Sequence, residues 1–410
     1  MSVLSGDSVY IPTELILYIA EFLQQPEDIV QLMRAVNGLH QLLTFHHLAV
    51  KGEKGETVLH IIARDGCEEL MKLILARGVV SGTWSDDITP LYRAATCGQK
   101  SVAKLLTCSR LNVNELDHDK ATPLHWAAKQ GHDLIVKMLL DRFDIKPDLN
   151  DGGGRTPMSW AAENGHKSVV ELLLQHDDVN PDSKDHCYDR TPLSFAAEHG
   201  HLLVVELLLQ QDDVEADTCD NENNSAGRWI PDYGGRTPLS FAAGNGRLAV
   251  VSLLMQREDV DTHYDDYFGR TPLSFAAERG QLAVVELLLQ QENVSTDFKD
   301  KNGRTPLSFA AEGGHFAVVE LLLQQEEFLA DFKDKMGRTP LSYAAEGGYL
   351  AVVELLVQRE DVDADSEDAL DCTPLSWAAA NGHRSVVELL VQREDVEADS
   401  KDNSGHTPSS

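Results

Sequence analysis

From residue 57 onward the apolar positions fall into two alternating patterns. One is a short block such as Leu273, Phe275, Ala276 and Ala277, introduced by Thr271-Pro272 and ended by Gly280. The other is a run such as L-A-V-V-E-L-L-L at 282–289, apolar nearly all round, with only Glu286 and Gln290 marking a solvent stripe. Both predict helices. The Thr271 hydroxyl suits an N-cap, and Pro272 fits the first helical position, where its missing N–H is not needed. Gly280 can take the left-handed conformation that ends the first helix. A second helix this apolar must be covered on several sides. Helices shorter than about 12 residues are marginal alone, so each pair needs neighbours. Between pairs come acidic, turn-rich stretches such as D-F-K-D-K-N-G, which predict a hairpin with Gly303 at its tight turn.

The pattern recurs. Equivalent threonines stand at Thr57, Thr89, Thr122, Thr156, Thr191, Thr237, Thr271, Thr305, Thr339, Thr373 and Thr407, in steps of 32, 33, 34, 35 and 46 and then five of 34 residues. A fixed period of this length denotes a stacked array. The expected fold is therefore an all-α repeat solenoid over residues 51–400, with about ten helix–turn–helix units. The 46-residue step holds an insertion at about 218–235. It reads either as part of a binding face, given Trp229 and Tyr233, or as an indel tolerated in a surface loop. Residues 401–410 read as a truncated repeat or tail, and residues 1–10 as a disordered N-terminus. The last full unit keeps an apolar second helix, so residues 393–410 are expected to fold across it, or that end to associate with something.

T-P-L-x-x-A-A-x-x-G followed by V-V-E-L-L-L resembles the ankyrin repeat from residue 57 to about 400. The resemblance implies helix–turn–helix units with a hairpin at right angles. The histidine usual after T-P-L stands only at His60 and His125. Tyr92 fills the slot once, and Ser159, Ser194, Ser240, Ser274, Ser308, Ser342 and Ser376 fill the rest. A serine hydroxyl can bond locally to backbone, so the fold should tolerate the change. The histidines after the repeat glycine, such as His132, His166 and His315, are architectural in the same pattern.

Residues 11–50 do not follow the repeat. Leu15, Ile16, Ile19 and Leu23 lie at helical spacing, Gln24-Gln25-Pro26 breaks the helix, and Glu27-Asp28 open a second one. Two short helices cannot bury a core alone. Ile11-Pro12, the Glu-Leu-Ile that follows and the acidic-led helix resemble an F-box motif, with Ile11 where leucine is commoner and the late aromatic missing. The resemblance implies docking to a Skp-family adaptor of a cullin ubiquitin ligase through Ile11, Pro12, Leu15, Ile16, Ile19, Leu23, Ile29 and Leu32. The rival reading is a helical cap on the first repeat, which would bury the whole apolar face.

Net charge is −32, from 67 acidic and 35 basic residues. That argues against phosphate-backbone binding and against anionic membrane surfaces, so neither nucleic acid nor membrane is an expected partner. It reads first as solubility of a long scaffold and alternatively as a match for a basic target. There is no signal-peptide pattern and no long apolar run, and the six cysteines are scattered. A reduced cytoplasmic or nuclear monomer is the expectation. No cofactor or metal site is expected: Gly152-Gly153-Gly154 lacks the rest of a phosphate loop, and histidines, serines and aspartates recur in repeat register. Asp151, Asp232, Asp266, Asp300 and Asp334 stand four residues before arginines, which suggests a ladder of ion pairs between hairpins. The aromatic row Trp126, Trp160, Phe195, Phe241, Phe275, Phe309, Tyr343 and Trp377 reads as packing between units.

Function is therefore expected from positions that vary within the repeat. Ankyrin partners touch hairpin tips and the two residues after Ala-Ala. The candidates are Tyr188, His199, Tyr233, Tyr264, Tyr267, Phe268, Arg279, Phe298 and Phe332, with Tyr233, Tyr264, Tyr267 and Phe268 adjoining the insertion. The expected protein is a non-catalytic scaffold linking a bound target to a Skp–cullin–F-box ligase. The alternative is an ankyrin scaffold whose first helices are only a cap.

Overall fold

Thr-Pro starts every regular helix pair in the same way. The threonine hydroxyl accepts the backbone N–H three residues on at Thr89, Thr122, Thr156, Thr191, Thr237, Thr271, Thr305, Thr339 and Thr373. Serine does part of the missing histidine's work. Ser308 and Ser342 hydroxyls accept the N–H of Thr305 and Thr339, and the Ser194 hydroxyl donates to the Thr191 carbonyl. His125 does more: its Nδ1 accepts the Thr122 N–H while Nε2 reaches the Arg155 carbonyl of the next unit at 3.1 Å.

These elements come from a computed structural model that describes residues 12–23, 25–36, 39–52, 56–77, 89–109, 111–221, 234–291, 294–325 and 329–400. Among them there are 23 α-helices and no strands. Two units divide the chain, Met1–His186 and Cys187–Ser410. The first holds four helix pairs, from Val58–Arg64 with Glu68–Leu75 to Pro157–Glu163 with Lys167–Leu174. The second holds six, from Pro192–His199 with Leu202–Leu208 to Pro374–Ala380 with Arg384–Val391. Within each unit first helices stack on first helices and second on second. From the unit at Thr156 to that at Thr339 the Ala-Ala and Val-Val pairs are buried, so the core within each unit is a thin layer between the two helix rows.

Hairpins are joined by backbone hydrogen bonds. The Lys301 N–H donates to the Phe268 carbonyl, Lys335 to Asn302 and Ala369 to Met336. Gly303 has φ +84°, and a Cβ there would lie 3.2 Å from the Asp334 Cα, so both conformation and space require glycine. In most repeats the residue after the repeat glycine closes a first-helix end. His166 Nε2 bonds the Lys129 carbonyl, His315 bonds Glu278 and His383 bonds Glu346, at 2.8–2.9 Å. Arg247 does the same for Glu198. These carbonyls would otherwise be orphans of the helix terminus.

At the N-terminal end, α1 spans Thr13–Phe22 and α2 spans Pro26–Ala35. α2 packs on Val58–Arg64 as first helices pack on one another. Ile29, Val30 and Met33 are buried. At the other end, Arg393 donates to the Val357 carbonyl and pairs with Asp395, repeating what Arg359 does with Leu323 and Asp361. Residues 393–397 thus extend the repeat pattern instead of folding across the last helix, where Val391 stays exposed. Residues 401–410 and 1–10 lie outside the described residues.

Candidate functional site

The hairpin aspartates hold the hairpin face together, by a route the sequence did not show. Asp151 Oδ1 accepts the N–H groups of Gly153 and Arg155, both at 2.9 Å, and its Oδ2 accepts the Trp160 indole N–H at 2.9 Å. Asp117 with Trp126, Asp368 with Trp377 and Asp334 with the Tyr343 hydroxyl repeat the arrangement. Of the expected Asp–Arg pairs, Asp266–Arg270 forms, within one hairpin and not between hairpins, and Asp232 lies outside the described residues. Elsewhere the arginine pairs with the glutamate eight residues on: Arg155 with Glu163 at 2.7 Å, Arg190 with Glu198 at 2.6 Å, Arg304 with Glu312 and Arg338 with Glu346. A donor-bearing aromatic nine residues after each aspartate was the signal available.

Each arginine also lies over aromatic rings. Arg190 is 4.2 Å from the centroids of both Phe195 and Phe241, and Arg338 is 4.0 and 4.5 Å from those of Tyr343 and Trp377. The phenylalanines are buried, as a packing row requires. Trp126 and Trp160 are only half-buried. They line a hollow of about 540 Å³ with His118, Lys120, Lys129 and Gly152. Lys129 Nζ lies 3.9 Å from the Trp160 centroid and 5.1 Å from that of Trp126, which cation–π attraction favours. The sequence reading treated this row as packing throughout, and at the two tryptophans it is also a wall.

The nominated target-binding residues are distributed as follows. Tyr264, Tyr267 and Phe268 share one hairpin, where the Tyr264 hydroxyl meets Cys219 Sγ at 3.4 Å and Tyr267 is 40% exposed. The contact with Cys219, followed by burial, pushes the Tyr264 phenol up to about 12. Phe332 lies under Lys299, 3.7 Å from its ammonium, and Phe298 and Tyr188 are half-buried. His199 is exposed and stacks on His201, and exposed Arg279 donates to Asn245 Oδ1 at 2.9 Å. Tyr233 and most of the insertion lie outside the described residues.

Of the adaptor set, Ile11 and the side chain of Leu15 lie outside the described residues. Pro12 is exposed, Ile19 is 39% exposed, and Leu23 and Leu32 are half-buried. Ile16 and Ile29 are buried, Ile29 completely. α2 therefore presents its apolar face to the first repeat and not outward.

Among the described residues no group of three or more His, Cys, Asp or Glu side chains could hold a metal ion. No described helix is long and apolar enough to cross a membrane. What the geometry defines is a repeat protein with a laddered hairpin face and half-open aromatic positions along it. Family models for ankyrin repeats match residues 24–117, 81–151, 124–221, 219–297, 292–368 and 370–403, and the chain belongs to the ankyrin-repeat family. The first match begins before α2, and no F-box motif is detected. Over 105 residues the chain is 33% identical to Alpha-latrotoxin-Lh1a of Latrodectus hasselti, covering 25% of this chain and 8% of that protein. It is 36% identical over 104 residues to the Nuclear factor NF-kappa-B p105 subunit of Rattus norvegicus (23% and 10%). It is 37% identical over 87 residues to the Transient receptor potential cation channel subfamily A member 1 homolog of Caenorhabditis elegans (21% and 7%). The chain spans a tenth or less of the length of these curated relatives. What is shared is the repeat, which makes the chain a protein-interaction scaffold.

Proposed function

We propose that the chain is a non-catalytic scaffold that holds a protein target on its hairpins and first-helix ends. The observation that carries this is the hollow of about 540 Å³ between Trp126 and Trp160. An aromatic-walled recess with a lysine at its rim suits an extended segment that inserts one apolar side chain. Tyr264, Tyr267, Phe268 and Arg279 supply a second contact region on the other unit, with Tyr188, His199, Phe298 and Phe332 at corresponding positions of other repeats. The test compares proteins retained from extract by the full chain and by a Trp160→Ala/Lys129→Glu variant of unchanged helical content. A set of proteins held by the first and released by the second is expected. Identical sets for both forms would remove the hollow as the target site.

A narrower reading links the scaffold to a cullin ligase. Its support is α1, where Tyr18 is 57% and Ile19 39% exposed. With Ile16 and Ile29 buried, a Skp-family adaptor would have to dock on that outer face and Pro12. Purified Skp-family adaptor should then bind the full chain and not an Ile19→Asp variant. Absence of binding to the wild type would leave residues 11–50 as a cap. A ligase-linked scaffold would act in the cytoplasm or nucleus, and a basic target would complement its acidic surface.

A further inference from the structure

The first two residues of the second helices change character along the chain. Lys167-Ser168 and Arg384-Ser385 open two of them, and the five helices between open with Leu202-Leu203, Leu248-Ala249, Leu282-Ala283, Phe316-Ala317 and Leu350-Ala351. All five apolar pairs belong to the second unit, where consecutive second helices pack on one another, so the pairs form one stripe. Leu203 is 56% exposed, Leu248 43% and Phe316 41%, and the four alanines are exposed as well. At about 8–10 Å per helix the stripe runs for roughly 30–40 Å. Contiguous apolar surface of this kind marks a contact.

A row of glutamates runs beside the stripe, one helical turn further on. In the two bracketing repeats that glutamate is paired within its own helix, Glu171 with Lys167 at 3.0 Å and Glu388 with Arg384 at 2.6 Å. Glu206, Glu286, Glu320 and Glu354 hold the same place, four residues after a leucine or phenylalanine that cannot pair with them. None of these four has an ion pair among the described residues, and Glu286, Glu320 and Glu354 are exposed. The cation that the bracketing repeats carry is thus replaced by apolar surface along the stripe. Residues 187–410 hold 41 acidic and 17 basic residues, so the field around the stripe attracts a basic segment. A second copy of the chain would bring the same glutamates to the same face, and like charges oppose that pairing.

We propose that this stripe docks a basic amphipathic helix of a partner protein. Its apolar side chains lie on Leu203, Leu248 and Phe316, and its Lys or Arg side chains meet Glu286, Glu320 and Glu354. The partner's cations then do what Lys167 and Arg384 do in their own repeats. The stripe lies on the second helices, whereas the target contacts proposed above lie on hairpins and first-helix ends. The two surfaces do not depend on each other.

The probe is a labelled leucine–lysine amphipathic helix of about 18 residues, long enough to cross about three of the five helices. Its anisotropy on the full chain is compared with that of a serine–lysine counterpart of equal charge. The leucine–lysine peptide should bind at least about tenfold tighter, because only it can bury the stripe. Leu203→Ser/Leu248→Gln/Phe316→Gln leaves the charge of the chain unchanged and puts polar residues where other repeats have them, so the fold should persist and the preference should vanish. Leu282→Lys/Phe316→Lys/Leu350→Lys gives each glutamate a cation four residues earlier, as in Lys167–Glu171, and should abolish binding with helical content retained. No binding by the wild type, equal binding of both peptides, or a preference that survives the charge-neutral variant would overturn the proposal. A wild-type dimer in sedimentation that this variant dissolves would overturn it too, since a second copy would then be the occupant. Each of these results can occur while the Trp126–Trp160 hollow still retains targets, so failure here is distinguishable from failure of the scaffold reading.

Discussion

At the scale of single residues, the aspartate of each hairpin decides more than its exposed sequence context suggests. One carboxylate closes its own turn and aims an aromatic ring nine residues away. Asp151→Asn keeps the acceptor for Gly153 and Arg155 but sets an amide N–H₂ against the Trp160 indole N–H when Oδ1 is retained in the turn. A loss of about 1–3 kcal/mol is expected in urea unfolding, the range for a buried donor left unsatisfied. No change in the midpoint would show that the indole bond is dispensable. Asp220 makes a second case. Burial raises its carboxyl to about 6, against about 3.9 in an unfolded chain. Between those values the folded state binds more protons, so this group's contribution to stability is present at low pH and declines as pH rises from about 4 to about 6. Asp220→Asn removes that decline while keeping an acceptor for the Arg236 N–H. The melting temperature of the variant minus that of the wild type should increase across this interval. A difference that is flat with pH would refute the assignment.

At the scale of elements, the sequence was most readable where a residue type has one mechanical use. Thr271, Pro272 and Gly303 name an N-cap, a first helical turn and a left-handed hairpin residue, and the structure puts each there. It was least readable where a side chain has two plausible partners. Arg304 stands four residues after Asp300 and eight before Glu312, and spacing alone did not reveal that the hairpin folds the second against it. The same limit applies to α2. Its apolar stripe fits an external partner or the first repeat equally well on pattern, and only the packing of Ile29 against the following pair separates them. Ile29→Ala should therefore cost about 2–5 kcal/mol locally, as a buried truncation does. Hydrogen exchange should speed up over 58–75, and unchanged exchange there would argue that α2 is not part of the fold's cap. Of the candidate site, the hairpin aromatics were legible as positions. The hollow between Trp126 and Trp160 was not, because a row that reads as packing gives no sign that these two members stay half-buried.

On the scale of the whole molecule, charge is unevenly distributed along the chain. Residues 51–150 carry 14 acidic and 14 basic side chains, while residues 187–410 carry most of the excess. Self-repulsion should therefore weaken the second unit more than the first. Raising the salt concentration ought to increase hydrogen-exchange protection over 187–400 more than over 56–186. Equal gains would mean that like-charge repulsion is not what limits stability there. Because stability in such arrays is a sum of unit and neighbour terms, the two regions can respond separately.

The units beginning at Thr271, Thr305 and Thr339 bury the same residues and offer nearly identical faces to the units on either side. Each junction between them is therefore a seam at which any one can follow any other. Deleting residues 271–304 should give a shorter chain that still melts cooperatively, and a collapse of helical signal would disprove the equivalence. A gene for such a chain can gain or lose whole periods without damaging the product, so the length of this scaffold is itself a trait open to inheritance and selection, adjustable in steps of one repeat.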